Sequence, residues 1–301
     1  MFFMPVIYGY DPASRMQAVS FLSDGGVMLA IWWLESLRCR PMPWFLHNPS
    51  ILTLASQLVG LGVVCPLYCF LSYIYAPIDS PVSSDQRSSL TAVLPALLVG
   101  YYIPAYAMFF WPDLAERQSW LFLWQLYPVL ISIAYHAVTL GTATPRNRSV
   151  VAKLSRDLLA VRVCIGVSVV LGASVWLWTR FSAPLSMATI FAPTGVPRLS
   201  LPSLTAFSGQ FLRWDEVFVF GPMLLWLAYL YEDTKRAGLL QASWLSLIPL
   251  AAAAVIALGP GAAVGLGWLW REEAILARHE KDTLMLEVAA KVDALLKANG
   301  A

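Results

Sequence analysis

Apolar stretches of about twenty residues, the length needed to cross the hydrocarbon core of a bilayer, recur along most of this chain. The clearest are Ser14–Leu37, Ile51–Tyr75, Leu90–Trp111, Trp120–Leu140, Leu158–Thr179, Asp215–Tyr231 and Trp244–Trp268. Seven such runs predict an all-α fold, a polytopic integral membrane helix bundle, because lipid offers backbone polar groups no partner outside their own helix. A membrane barrel would show short alternating strands instead. The charge supply agrees. Only 13% of the 301 residues are charged, against about 25% in a soluble domain, so a globule of this size would lack polar cover. That excludes a soluble enzyme, a disordered chain and a nucleic-acid binder. A net charge of +2 supplies no basic field for a polyanion. Thirteen Trp and twelve Tyr exceed what interfacial belts require.

The domain reading is a transmembrane bundle over residues 1–270 and a polar tail over 271–301. In the tail Leu284, Val288, Val292 and Leu295 recur at helical spacing, which predicts an amphipathic helix. The Pro-rich stretch 181–213 reads as a loop, a re-entrant segment or an eighth crossing. No basic region precedes a short apolar core at the start, so the first run reads as a signal anchor rather than a cleaved signal. Basic residues gather at Arg146, Arg148, Lys153 and Arg156, and again in the tail. Both clusters should be cytoplasmic, yet seven crossings put them on opposite sides. Asn147-Arg148-Ser149 is a glycosylation sequon that goes unused if its loop is cytoplasmic. Membrane of the endoplasmic reticulum is the expected location.

Cys39, Cys65, Cys69 and Cys164 form no CxxC pair and read as small buried hydrophobes. Three scattered histidines make no metal site, and none is expected. Pro66, Pro104, Pro128, Pro222 and Pro249 fall inside the apolar runs, where proline kinks helices or frees carbonyls.

Ionisable groups inside such runs are expensive and therefore mark candidate sites. Glu35 follows Trp32-Trp33 and stands three residues before Arg38, so an interfacial ion pair on one helical face is the plain alternative to catalysis. Asp24 lies eleven residues earlier, roughly 16 Å along a helix. It precedes Gly25-Gly26, so it also reads as the cap of a helix start. Asp215 opens the sixth run, where a helix dipole favours an acid. Glu216 points about 100° away from it, so the two should not face one cavity. With seven crossings, Glu35 and Asp215 share a membrane face. Gln57 and Gln125 read as substrate-orienting groups or as interhelical hydrogen bonders. His136 is a further intramembrane candidate. Tyr68, Tyr101 and Trp124, with Tyr73, Tyr102, Tyr106, Trp111 and Tyr127, offer aromatic faces for packing or for a passing carbocation.

A carboxyl pair in an apolar, aromatic cavity has a definite chemistry. The buried acid stays protonated and protonates an alkene or an epoxide oxygen. Its partner takes up the proton lost on closure. No Asp-rich diphosphate motif, P-loop, GxGxxG or GxSxG string is present, so the chemistry expected is acid–base work without a cofactor. A transporter is the main non-catalytic alternative, though no internal repeat supports it. A receptor-like protein that binds a lipophilic ligand without turnover is another.

Trp32–Arg38 (WWLESLR), Pro66–Tyr73 (PLYCFLSY), Gly100–Phe109 (GYYIPAYAMF) and Trp124–Pro128 (WQLYP) together resemble the fungal membrane-integral cyclase family typified by the terpene cyclase of ascofuranone biosynthesis. That family also includes epoxide hydrolases of polyene-pyrone pathways such as those of citreoviridin and aurovertin. The likeness covers roughly half the chain. A more distant likeness is to the seven-span meroterpenoid cyclases. The resemblance implies ring closure or epoxide opening on a lipophilic polyene or prenylated intermediate drawn from the membrane, with Glu35 and Asp215 as the catalytic acids. A protonated Glu35 would open the epoxide or protonate the terminal alkene, and an internal nucleophile or water would complete the reaction.

Overall fold

The computed structural model describes residues 11–38, 43–75, 82, 89–141, 150–195 and 204–299. Its elements are helical: α1 (Pro12–Ser36), α2 (Pro49–Val59), α3 (Leu61–Tyr75), α4 (Leu90–Phe110), α5 (Leu114–Gln125), α6 (Tyr127–Gly141), α7 (Val150–Ser182), α8 (Met187–Phe191), α9 (Leu204–Arg236), α10 (Trp244–Leu258) and α11 (Pro260–Asn299).

Helix α1 starts where its chemistry says it should. Asp11 accepts from the N–H groups of Ala13 and Ser14, and Pro12 occupies the first turn. It continues unbroken through Asp24-Gly25-Gly26, so Asp24 does not cap its own helix. The glycines serve close approach instead. A Cβ on Gly26 would run into the Tyr102 ring, and one on Gly25 would come within 3.0 Å of the Tyr101 hydroxyl. Twenty-one of the 25 residues of α1 are buried, so this helix is the axis of the bundle, wrapped by α4, α7, α9 and α11.

Two helices, Leu90–Phe110 and Ser155–Ser182, are long and apolar enough to cross a membrane. The pair α5–α6, bent by 69°, makes a third if it counts as one span. Two of the seven expected crossings take a different path. Contacts pair α9 with α1 in ascending order: Gly209 with Ser14, Glu216 with Gln17, Phe220 with Phe21. They pair α3 with α9 likewise: Gly62 with Asp215, Cys65 with Val219, Tyr73 with Tyr229. So α1, α9 and α3 run the same way, and α2 must run against them. Ile51–Tyr75 is therefore a helical hairpin folded at Gly60, whose φ of 95° suits glycine. The chain before and after it meets where Arg38 and Val82 bridge.

The last apolar run folds the same way. Contacts of Gly261 with Asp24, Gly265 with Val27, Trp268 with Glu35 and Glu272 with Arg38 set α11 parallel to α1. Helix α10 begins beside the end of α9, where Trp244 donates to Glu232 at 3.0 Å. That indole, with Arg236, holds the Glu232 carboxyl below the ordinary carboxylate range. Helix α10 ends where the Ile256 carbonyl accepts from Trp176 and Arg180. The turn is at Gly259, φ 94°.

Arg162, early in α7, pairs with Glu273 of α11 at 2.7 Å. The first turns of α7 and the stretch of α11 around Glu273 thus lie at one end of the bundle. The α6–α7 connection, including Asn147, lies outside the described residues. So does Cys39, while Cys65, Cys69 and Cys164 are free and buried. The composition change at Arg271 falls within α11, and Arg271, Glu272, Ile275 and Leu276 beyond it are still buried. The side chains of Leu284, Val288, Val292 and Leu295 lie outside the described residues.

Candidate active site

Three helices are interrupted around one spot. The α2–α3 hairpin turns at Gly60. Helix α4 widens into a π turn at Leu98–Tyr102, just ahead of Pro104. The α5–α6 pair breaks at Leu126, ahead of Pro128. Proline lacks the N–H that would continue each ladder, and π turns gather at functional sites. Irregular backbone at membrane depth persists where it is buried in protein or lines a cavity. Here it lines a cavity of about 410 Å³, within the roughly 300–1,000 Å³ usual for small-molecule sites.

Each wall has a sequence origin. Phe21, Leu22, Gly25, Met28 and Leu29 come from α1, spaced as one helical face. Ser56, Gln57, Leu58, Val59, Gly60 and Leu61 come from the hairpin tip, and Phe211, Leu212 and Asp215 from α9. The π turn and the Leu126 break deliver Tyr101, Trp124, Gln125 and Tyr127. Those aromatics form a cluster, with Tyr101 edge-on to Tyr127 at 5.2 Å between ring centres and Trp124 stacked on Tyr127 at 5.4 Å. Gly100 makes this possible, since a Cβ there would meet the Ile131 backbone at 2.6 Å.

Polar groups knit the breaks together. Asp215 Oδ1 accepts from the Gly62 N–H at 2.6 Å, at the start of α3, where helical N–H groups lack intrahelical partners. Gln57 Nε2 donates to the Gln125 carbonyl at 2.7 Å, a group freed at the other break. The Tyr101 hydroxyl donates to the Leu22 carbonyl at 2.8 Å, which holds its ring against α1. Asp215 is thus twelfth in its own helix, not an N-terminal residue, and it caps a neighbour's helix instead. Glu216 turns away as the 100° step requires and accepts from Gln17 Nε2 at 2.8 Å.

Six residues singled out in the sequence therefore meet in the cavity: Asp215, Gln57, Gln125, Tyr101, Trp124 and Tyr127. The others do not line it. Asp24 is fully buried on a different side of α1, against Gly172 of α7 and Gly261 in the first turn of α11. Tyr68 is buried with its ring 4.5 Å from Trp32. His136 is exposed beside Tyr135.

Glu35 and Asp215 do not share an end of the bundle. Glu216 marks the level of Gln17, and eighteen residues of α1 separate Gln17 from Glu35, about 27 Å at 1.5 Å per residue. The expectation of a shared face assumed single crossings, and the α2–α3 hairpin removes that premise. Glu35 instead anchors a buried ionic cluster. Arg38 grips it bidentately, Nε to Oε2 at 2.9 Å and a terminal nitrogen to Oε1 at 2.8 Å. The same nitrogen lies 2.6 Å from Glu272, which Arg271 also contacts at 2.7 Å. Trp268 donates to Glu35 Oε1 at 2.9 Å. The pair foreseen from the three-residue spacing forms. Glu272, Arg271 and Trp268 went unnoticed because the composition placed the first two in a solvated tail. Tyr127 and Ser56 stood in the sequence only as an aromatic and an ordinary polar residue.

The sequence model of the CtvD domain matches residues 1–276. The chain is 39% identical over 293 residues to the FAD-dependent monooxygenase verC1 of Penicillium polonicum, covering 96% of this chain and 36% of that protein. It is 31% identical to the FAD-dependent monooxygenase anuJ of Penicillium roqueforti, covering 91% and 34%. It is 23% identical to the terpene cyclase ctvD of Aspergillus terreus, covering 89% and 80%. The chain therefore spans about a third of the two monooxygenase-named relatives and four-fifths of the cyclase-named one. No solved structure matches it. The chain belongs to the CtvD domain family, and it is similar to fungal proteins that carry the name terpene cyclase.

Proposed function

We propose that this chain is a membrane-embedded enzyme that uses Asp215 as an acid to close a ring or open an epoxide on a lipophilic isoprenoid or polyene intermediate. The observation that carries this reading is the Asp215 carboxyl, set in the wall of a cavity otherwise lined largely by aliphatic and aromatic side chains. With Gly62 on Oδ1, the proton is carried on Oδ2 and passes to the epoxide oxygen or the terminal alkene carbon. The carbon left electron-poor faces Tyr101, Trp124 and Tyr127, whose ring faces attract a cation. A substrate hydroxyl, a second alkene or water then bonds to that carbon, and the proton released returns to Asp215. Glu35, about 27 Å away along α1, has no place in this step; its cluster fixes α11 to α1.

The relatives named terpene cyclases support the enzyme class. Two other relatives are named for flavin chemistry, and this chain aligns with about a third of each. The reading assigns to that third the acid-dependent step. It places the bundle in the endoplasmic reticulum membrane as five crossings (α1, α4, α5–α6, α7 and α9) and two hairpins. The basic α6–α7 connection and the tail face the cytoplasm.

Epoxide hydrolysis is the second reading, since the same acid opens the ring and the cavity's Ser56, Gln57 and Gln125 are polar enough to hold a water. Microsomes carrying the protein, given an epoxidised polyene or a farnesylated phenol epoxide in heavy-oxygen water, separate the two. An unlabelled isomer identifies cyclisation and a labelled diol identifies hydrolysis. Unchanged substrate in both cases overturns the proposal.

A further inference from the structure

We propose that the cavity opens sideways into the lipid at Leu58 and Val59, so that a substrate of isoprenoid or polyene type enters from the bilayer without passing through water. This rests on reading the cavity as the substrate site. Of the residues lining it, these two alone are exposed, Leu58 by 83% and Val59 by 57%; the rest are buried or half-buried. The mouth is thus purely aliphatic. Its surroundings match, since Leu54, Val63, Leu67 and Phe218 are each about half exposed or more. Neither α2 nor α3 carries a charged residue. The charges on the facing stretch of α9 turn inward, with Arg213 donating to the Ile190 carbonyl, Asp215 facing the cavity and Glu216 paired with Gln17. A rim with nothing to offer water, in a protein of this composition, suits a hydrocarbon solvent and a hydrocarbon ligand. Asp215 then stands inside the mouth as the first acidic group that an entering chain meets.

The test uses the full chain in phosphatidylcholine vesicles, with Cys39 replaced by Ser and a nitroxide on Leu58→Cys or Val59→Cys. Both positions are exposed, so the labels do not disturb the core. Arg236→Cys, at the charged end of α9, serves as the water-exposed control. The expected result is relaxation by oxygen, which concentrates in lipid, at positions 58 and 59, with loss of the collisions with a water-soluble nickel chelate seen at 236. Nickel-chelate relaxation at 58 and 59 equal to that at 236 would overturn the proposal. The chemical reading fails separately. Unchanged turnover in Asp215→Asn would remove that reading and leave the accessibility result standing.

Discussion

Asp215 of α9 holds the backbone of Gly62, with 2.6 Å from the Gly62 N–H to Oδ1. One hydrogen bond thus ties the candidate acid to the tip of the α2–α3 hairpin. A Cβ on Gly62 would meet Asp215 Oδ1 at 2.8 Å and Phe218 Cβ at 2.9 Å. Gly62→Ala should therefore displace the carboxyl and cost about 1–3 kcal/mol by overpacking. Turnover should fall more than tenfold while the helical signal in circular dichroism is retained. Full activity in Gly62→Ala would show that the position of Asp215 is immaterial.

The cluster around Arg38 makes a different prediction. Removing one partner of a buried ion pair strands the other, at a cost of about 3–5 kcal/mol. Arg38→Ala should lower thermal stability in detergent accordingly. In a double-mutant cycle, Arg38→Met with Glu272→Leu should recover part of the loss. A strictly additive cycle would mean the two side chains do not interact.

Gln57 offers a milder perturbation. Gln57→Leu leaves the half-buried Gln125 carbonyl without its 2.7 Å donor, and losing one hydrogen bond of this kind costs about 1 kcal/mol. The Leu126 break should loosen, raising KM more than it lowers kcat. Unchanged stability together with unchanged KM would contradict the role given to this bond.

Glycine contacts separate packing from propensity. Gly26→Ala drives a methyl group into the Tyr102 ring, whereas Gly166→Ala meets nothing within 4 Å. The first should destabilise strongly. The second should be neutral or stabilising by up to about 1 kcal/mol, since alanine is the better helix former. Equal effects in thermal melts would mean that α4 does not lie against α1 as described.

Some of this was legible in the residues. The three-residue spacing of Glu35 and Arg38 announced their pair, and the 100° step separated Asp215 from Glu216. Local capping logic failed where the partner was distant. Asp24 read as the cap of its own helix and Asp215 as an acid favoured by its own helix dipole, yet Asp215 caps α3 and Asp24 lies against the first turn of α11. Hydropathy also misses a fold-back. Ile51–Tyr75 carries no charge and is largely apolar, and only Gly60, with a positive φ, marks the turn. Glu272 was hidden because composition changes at Arg271 while the helix and its burial continue.

The topology has its own check. Tags inserted between α6 and α7 and after α11 should show the same protease accessibility in sealed microsomes, because the start of α7 and the Glu273 stretch of α11 lie at one end of the bundle. Opposite accessibility would restore seven single crossings.

The central claim is that Asp215 supplies the proton. Asp215→Asn keeps the side chain's shape and an acceptor oxygen for Gly62 but has no acidic proton. Its turnover of an epoxidised polyene in microsomes should fall at least a thousandfold, about 4 kcal/mol of transition-state stabilisation at roughly 1.4 kcal/mol per factor of ten, at unchanged expression. Turnover equal to the wild type would contradict the account.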